Sequence, residues 1–382
     1  MKTLLISSLT LFLCLLLPAQ TTPEDPLLSE KLEMQQTISK GAQYLLSKQN
    51  PEGYWGDKNL PAFTAFALRS LLDVPRSDEK NPYQEATSKG LNWLIKQQKA
   101  DGGIYGKGLA TYNTSSSIMA LLASGDKNYH PIILKARGFL VNQQTDWGIK
   151  GELDGDFDGG IGYGGTYAHS DLSNTHLALE ALYHSKQLIT DNGEDEERSQ
   201  PDLDWEAALA FVTKCQNLRE TNKMENSGND GSFVYFPGNS KAGSQEEADG
   251  RVSLRGYGSM SYAGLLSLVY ADLKEDDPRL KTVLEWLRKN YTLEENPGLE
   301  GQGLYYYYHT MAKALTAANI PTLEMEDGTR INWRKELASK ILSTQREDGS
   351  WINPTSRWME NDPILVTCYA LMTLEQIHAT LK

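Results

Sequence analysis

Two kinds of helical stretch alternate along this chain. The first is apolar on one face only. In ISKGAQYLLSKQN, Ile38, Ala42, Leu45 and Leu46 fall at i, i+4, i+7 and i+8, with polar residues on the other side. GLNWLIKQQ, ARGFLVNQQ, ALAFVTKCQ, VLEWLRKN and ELASKILSTQ repeat this pattern, and most end in Gln. The second kind is apolar on nearly every side: FTAFALRSLL, NTSSSIMALL, NTHLALEAL, MSYAGLLSL, HTMAKAL and VTCYALMTL. A helix that is apolar all round is buried, whereas one with a single apolar face lies outside it and turns its polar side to water. Glycine turns join the two kinds: PEGYW, ADGGIY, FDGGIG, NDGSF and EDGSW, with only NPGLEGQG in the fifth copy. Glycine supplies the positive φ, an acid precedes it in most copies, and an aromatic residue or Ile follows and packs back on the helix.

The apolar helices align on Thr64, Thr114, Thr175, Ser261, Thr310 and Thr367, so the unit occurs six times. The longest interval, 86 residues from Thr175 to Ser261, carries TDNGEDEERSQ and GNSKAGSQEEADGR, which read as solvated insertions rather than domain linkers. Six alternations predict an all-α fold over residues 35–382: an α/α toroid with six inner helices ringed by six outer ones. Closure buries the end units against each other, so the capping units of an open array are not needed.

At the N-terminus, Met1-Lys2 and the apolar run LLISSLTLFLCLLL lead to Pro18-Ala19-Gln20. Residues 1–20 therefore read as a signal peptide and residues 21–34 as a linker. The run is short for a membrane span. The protein is expected to be secreted or periplasmic, with no span after cleavage. The net charge of −13 argues against nucleic acid and anionic membranes as partners. Cys215 and Cys368 would remain after cleavage, and their apolar helices suit buried free thiols better than a disulfide. The oligomeric state is not legible.

A helix ending in Gln, a Gly-Gly-aromatic loop and an apolar helix together resemble the repeat of squalene cyclases and protein prenyltransferase β-subunits, over about residues 35–379. YGSMSYAGLLSL and LYYYYHTMAKAL are similar to the squalene-cyclase-like repeat proteins that some bacteria export. The resemblance implies an α/α toroid with a central apolar cavity. Class II cyclases of this kind carry Asp-x-Asp-Asp-Thr at the start of an inner helix. Here that stretch is Asp171-Leu172-Ser173-Asn174-Thr175, with Ser173 where the protonating acid would stand. Alkene protonation needs a strong acid supported by its neighbours, and a lone buried Asp moves to higher pKa instead. Asp171 is thus a candidate acid or simply a helix cap. The prenyltransferase zinc set of Asp, Cys and His is matched only by His309 in YYHT.

The candidate catalytic residues are accordingly Asp171 and His309. Asn174, His176, Tyr257, Tyr262 and Tyr308 are expected on the cavity wall. Asp154, Asp156 and Asp158 begin a calcium loop, but its twelfth position is Gly165 rather than Glu. No other cofactor is implied. The expected function is binding of a hydrophobic, isoprenoid-like small molecule with the catalytic motifs degraded. Two alternatives stand beside it: a divergent enzyme (cyclase-like, or a lyase or hydrolase on an extracellular polymer) and a protein-interaction scaffold.

Overall fold

Burial separates the two kinds of helix in the computed structural model, which describes residues 26–75, 81–164, 169–190 and 201–381. The inner helices are α2 (Pro61–Leu72), α4 (Ala110–Ala123), α6 (Leu172–His184), α9 (Gly258–Tyr270), α11 (Leu304–Ala317) and α13 (Pro363–Thr380). The outer helices are α1 (Pro26–Lys48), α3 (Gln84–Ile95), α5 (His130–Val141), α8 (Trp205–Lys214), α10 (Pro278–Lys289) and α12 (Trp333–Ser343). A short α7 (Gln187–Thr190) follows α6. In α9 every residue but Val269 is buried, whereas α10 buries only Leu280, Val283 and Leu287, one stripe of its surface.

Consecutive inner helices pack on one another from α2 through α4, α6, α9 and α11 to α13, and α13 returns to α2. The ring is closed. The proposed signal peptide lies outside the described residues. The segment read as a linker is partly helical, because α1 begins at Pro26. The insertion after residue 238 contains a small antiparallel hairpin, β1 (Ser244–Glu246) with β2 (Val252–Leu254). A second hairpin, β3 (Leu323–Glu324) with β4 (Arg330–Ile331), precedes α12.

Hydrogen bonds explain why the repeat needs its particular residues. The glutamine ending an outer helix donates twice, once to the glycine turn and once to the next outer helix. Gln49 reaches Gly53 O (2.9 Å) and Ala86 O (2.8 Å). Gln98, Gln144 and Gln216 do the same one unit further on each time. Gln345 reaches Gly349 O (3.0 Å) and then Thr37 O of α1 (3.0 Å), joining the last unit to the first. The aligned Thr or Ser accepts from the backbone just after the turn: Trp55 N to Thr64, Ile104 N to Thr114, Ile161 N to Thr175, Phe233 N to Ser261 and Trp351 N to Thr367 (2.9–3.1 Å). Gly159 shows why the turn requires glycine: at φ 82° its missing Cβ would lie 1.9 Å from Ala207 O. The fifth unit departs from the rule. Asn290 replaces the glutamine and bonds back to Trp286 O of its own helix, and Thr310 bonds to Tyr306 O.

Candidate functional site

The first turns of α4, α6, α9 and α11, with the loops leading into the inner helices, enclose a cavity of about 200 Å³. Six tyrosines line it: Tyr112, Tyr163, Tyr235, Tyr257, Tyr306 and Tyr369. Leu109, Met260, Trp358 and Met359 complete the apolar wall. Leu109 (φ 49°), Trp358 (φ 55°) and Met359 (φ 64°) are all left-handed without being glycine. Strain of about 1–3 kcal/mol at each such residue is thereby concentrated on one wall. Trp358 and Met359 are also 42% and 38% exposed, which puts the mouth of the cavity at their loop.

The axis of the ring is not hollow throughout. Below the cavity the Tyr112 and Tyr369 hydroxyls meet at 3.2 Å and the Tyr306 ring packs on Tyr369 at 5.9 Å. At about 30 Å³ per water-sized group, the open space holds roughly seven such groups. That is one to two isoprene units, below the range of about 300–1,000 Å³ that accepts drug-sized ligands.

Asp171 is the N-cap of α6. Its carboxylate accepts from Asn174 N (2.9 Å) and from Asn174 Nδ2 (2.8 Å). Burial pushes it up to about 7, with these hydrogen bonds pulling the other way. Neither Asp171 nor Asn174 is on the cavity wall; Ser173, between them, is. The expectation of a cavity acid at Asp171 is therefore corrected: the helix start consumes it, and its neighbour offers only a hydroxyl.

Among the predicted wall residues, Tyr257 lines the cavity. Tyr262 and Tyr308 do not. Tyr262 packs on Tyr307 at 5.7 Å, and the Tyr308 hydroxyl donates to Leu293 O. In the run LYYYYH, Tyr306 is the ring on the cavity wall, while Tyr305, Tyr307 and Tyr308 bond outward to Thr344, Thr292 and Leu293. Successive residues on a helix lie about 100° apart, so one of the four can face the axis squarely.

His176 and His309 line a second, smaller space below the tyrosines. His176 Nδ1 faces Leu172 O at 3.3 Å and so carries the proton, leaving Nε2 to accept from the Tyr306 hydroxyl at 3.4 Å. Burial pulls His176 down to about 4 and His309 well below its ordinary value, so both are neutral near pH 7. His309 stacks on Tyr369 at 5.7 Å. It lines this space, and no cluster of three His, Cys, Asp or Glu suited to a metal occurs among the described residues.

The calcium candidates are held within their own loop. Asp158 accepts from Trp147 N (2.8 Å) and Gly155 N (2.5 Å), and Asp154 accepts from Ile149 N (3.1 Å). These two carboxylates hold their own loop, and Asp156 is exposed and does not join them in a cluster.

Sequence reasoning missed two ionic features. Glu360 and Lys241 both line the tyrosine cavity. Glu360 accepts from Tyr305 N, Tyr306 N and Asn353 Nδ2, while burial raises its pKa. Lys241 lies 4.3 Å from the Tyr235 ring. Deeper down, Arg69, Glu180 and Lys313 meet in the lower space. Glu180 pairs with Lys313 and lies 3.8 Å from Arg69; burial raises its pKa, but the two cations outweigh that and bring it to about 2. A sequence signal for this cluster exists, since each is the lone charge in its apolar motif: FTAFALRSLL, NTHLALEAL and HTMAKAL.

Comparison with solved structures agrees with the architecture. Type II terpene cyclase MstE from Scytonema, without ligand, superposes with a TM-score of 0.55 at 13% identity, over 91% of this chain and 99% of that one. A variant of the same enzyme bound to its substrate geranylgeranyl dihydroxybenzoate gives 0.52 at 13% identity, over 92% and 99%. No family model matches the sequence, and no curated protein does. The chain has the squalene-cyclase-like toroid fold of the type II terpene cyclases.

Proposed function

We propose that this toroid binds the end of an isoprenoid or similarly branched apolar ligand in its tyrosine cavity, and that it does so without proton-initiated cyclisation. Ser173 carries the second half of this reading. It lines the cavity at the position where the resemblance to cyclases calls for the protonating acid. A serine hydroxyl cannot protonate an alkene. The six tyrosine rings carry the first half, since they suit branched apolar chains and leave little open polar surface. A protein of the same fold binds geranylgeranyl dihydroxybenzoate, which makes a prenyl chain the natural probe. A chain longer than about two isoprene units would leave through the mouth at Trp358. Residues 1–20 support export as part of the same proposal, so the ligand would be met outside the cytoplasm.

The test is mass spectrometry of the solvent extract of purified protein, with thermal-shift titration by geraniol and geranylgeraniol. A co-purifying apolar molecule, or a saturable rise in Tm that Tyr257→Ala weakens, is the expected result. The absence of both an extracted molecule and a shift with any prenyl compound would refute it.

One observation favours a second reading. Glu360 and Lys241 share the cavity, and an acid with a basic partner is the minimum for lyase or hydrolase chemistry. The commitment of Glu360 to two backbone N–H groups and Asn353 weighs against it. Turnover of an extracellular polymer that is lost in both Lys241→Met and Glu360→Gln would favour the enzyme.

A further inference from the structure

The lower space is about 20 Å³, room for one water-sized atom. It shares Tyr112, Tyr306 and Tyr369 with the cavity above, so three rings separate the two. Three features of its wall call for an occupant. Arg69 and Lys313 bring two cations against the single carboxylate of Glu180. Asp73 and Glu375 also lie near Arg69 but outside this wall, and burial raises the pKa of each. Arg69 Nε, Ser115 Oγ and His309 Nδ1 are buried without a hydrogen-bond partner, and all three residues line the space. Buried polar atoms are seldom left unpaired, and doing so costs about 1–3 kcal/mol each. Finally, Tyr306 has already spent its proton on His176 Nε2, so the ring between the spaces cannot serve as the donor.

We propose that the lower space binds an acceptor oxygen, the carbonyl or carboxylate at the deep end of the ligand whose apolar body fills the tyrosine cavity. This rests on the ligand-binding reading above and narrows it, from apolar molecules in general to oxygenated ones. Arg69 and Lys313 supply charge-assisted donors and Ser115 a hydroxyl. The oxygen enters by parting the Tyr112–Tyr369 hydroxyl pair.

Four probes on ten-carbon terpenoid skeletons test it: geranic acid, methyl geranate, geraniol and the hydrocarbon myrcene. Calorimetric titration should give geranic acid at least a tenfold advantage over myrcene. Lys313→Met should abolish the advantage, and Ser115→Ala should cut it about threefold, with myrcene unchanged in both. Should Lys313→Met fail to fold, Ser115→Ala carries the same comparison, since it removes one hydroxyl and no charge. An equal gain for the ester supports a carbonyl, and a gain for the acid alone supports a carboxylate. If all four probes bind alike, or the advantage of the acid survives both substitutions, the oxygen site is overturned while the apolar cavity stands. If none binds, the cavity reading itself fails and takes this site with it.

Discussion

Glu360 Oε1 accepts a hydrogen bond from Tyr306 N at 2.7 Å, so a residue just before α13 caps the start of α11. Gly303, the residue at the α11 N-cap position, has no side chain to do this. The bond ties the mouth loop of Trp358 to the ring that floors the cavity. Glu360→Ala is expected to cost about 1–2 kcal/mol, the range for a lost N-cap. The readout is a lower urea midpoint at unchanged m, together with weaker binding of any ligand the wild type holds.

Gln345 closes the ring through Thr37, whereas Asn290 at the equivalent place in the fifth unit bonds back to Trp286 O of its own helix. Gln345→Ala removes two hydrogen bonds and is expected to cost about 1–3 kcal/mol. Asn290→Ala should cost measurably less. Parallel urea titrations of the two variants check the difference.

The Glu180 cluster should respond unevenly to substitution. Glu180→Leu leaves the largely buried Lys313 and the part-buried Arg69 without their carboxylate, an expected loss of about 3 kcal/mol. Combining it with Arg69→Met and Lys313→Met should recover most of that loss, since apolar side chains of similar volume suit the site as well as the ions do. Chemical denaturation of the single and triple variants gives the comparison.

Two buried groups oppose each other in their pH dependence. His176, depressed to about 4 from 6.5, contributes stability that is present above pH 6.5 and lost as pH falls through 4. Asp171, raised to about 7 from 3.8, contributes stability that is present below pH 3.8 and lost as pH rises through 7. Between pH 4 and 6.5 their slopes have opposite sign. Relative to wild type, His176→Gln should therefore lose stability with rising pH across this window, and Asp171→Asn should gain it. Each slope difference is bounded by about 1.4 kcal/mol per pH unit. Urea midpoints of the three proteins at four pH values decide the matter.

The ring was legible because five of the six units repeat the same three solutions: Gln at the outer end, Gly in the turn, Thr or Ser on the inner helix. Those residues act through local bonds at fixed spacing, and spacing is what a sequence displays. The site was less legible. Tyr308 and Tyr306 differ by two positions on one helix, and only the packed rotation of α11 decides which faces the axis. Glu360 and Lys241 come from loops with no repeat to register them. Asp171 matched the first position of a known motif, yet in the fold it caps α6 through Asn174 and does not line the cavity. The calcium-like aspartates had a simpler task in the turn, where Asp158 and Asp154 bind backbone N–H groups.

The seam between the last unit and the first also joins the two ends of the described chain. Lys31 Nζ reaches Leu381 O at 2.8 Å, and Gln35 lies 3.1 Å from His378 Nε2. A circle stitched in this way has no privileged starting point. A short peptide bridge across the seam, with a new opening cut in the polar hairpin between β1 and β2, should leave a circularly permuted protein with the same interior.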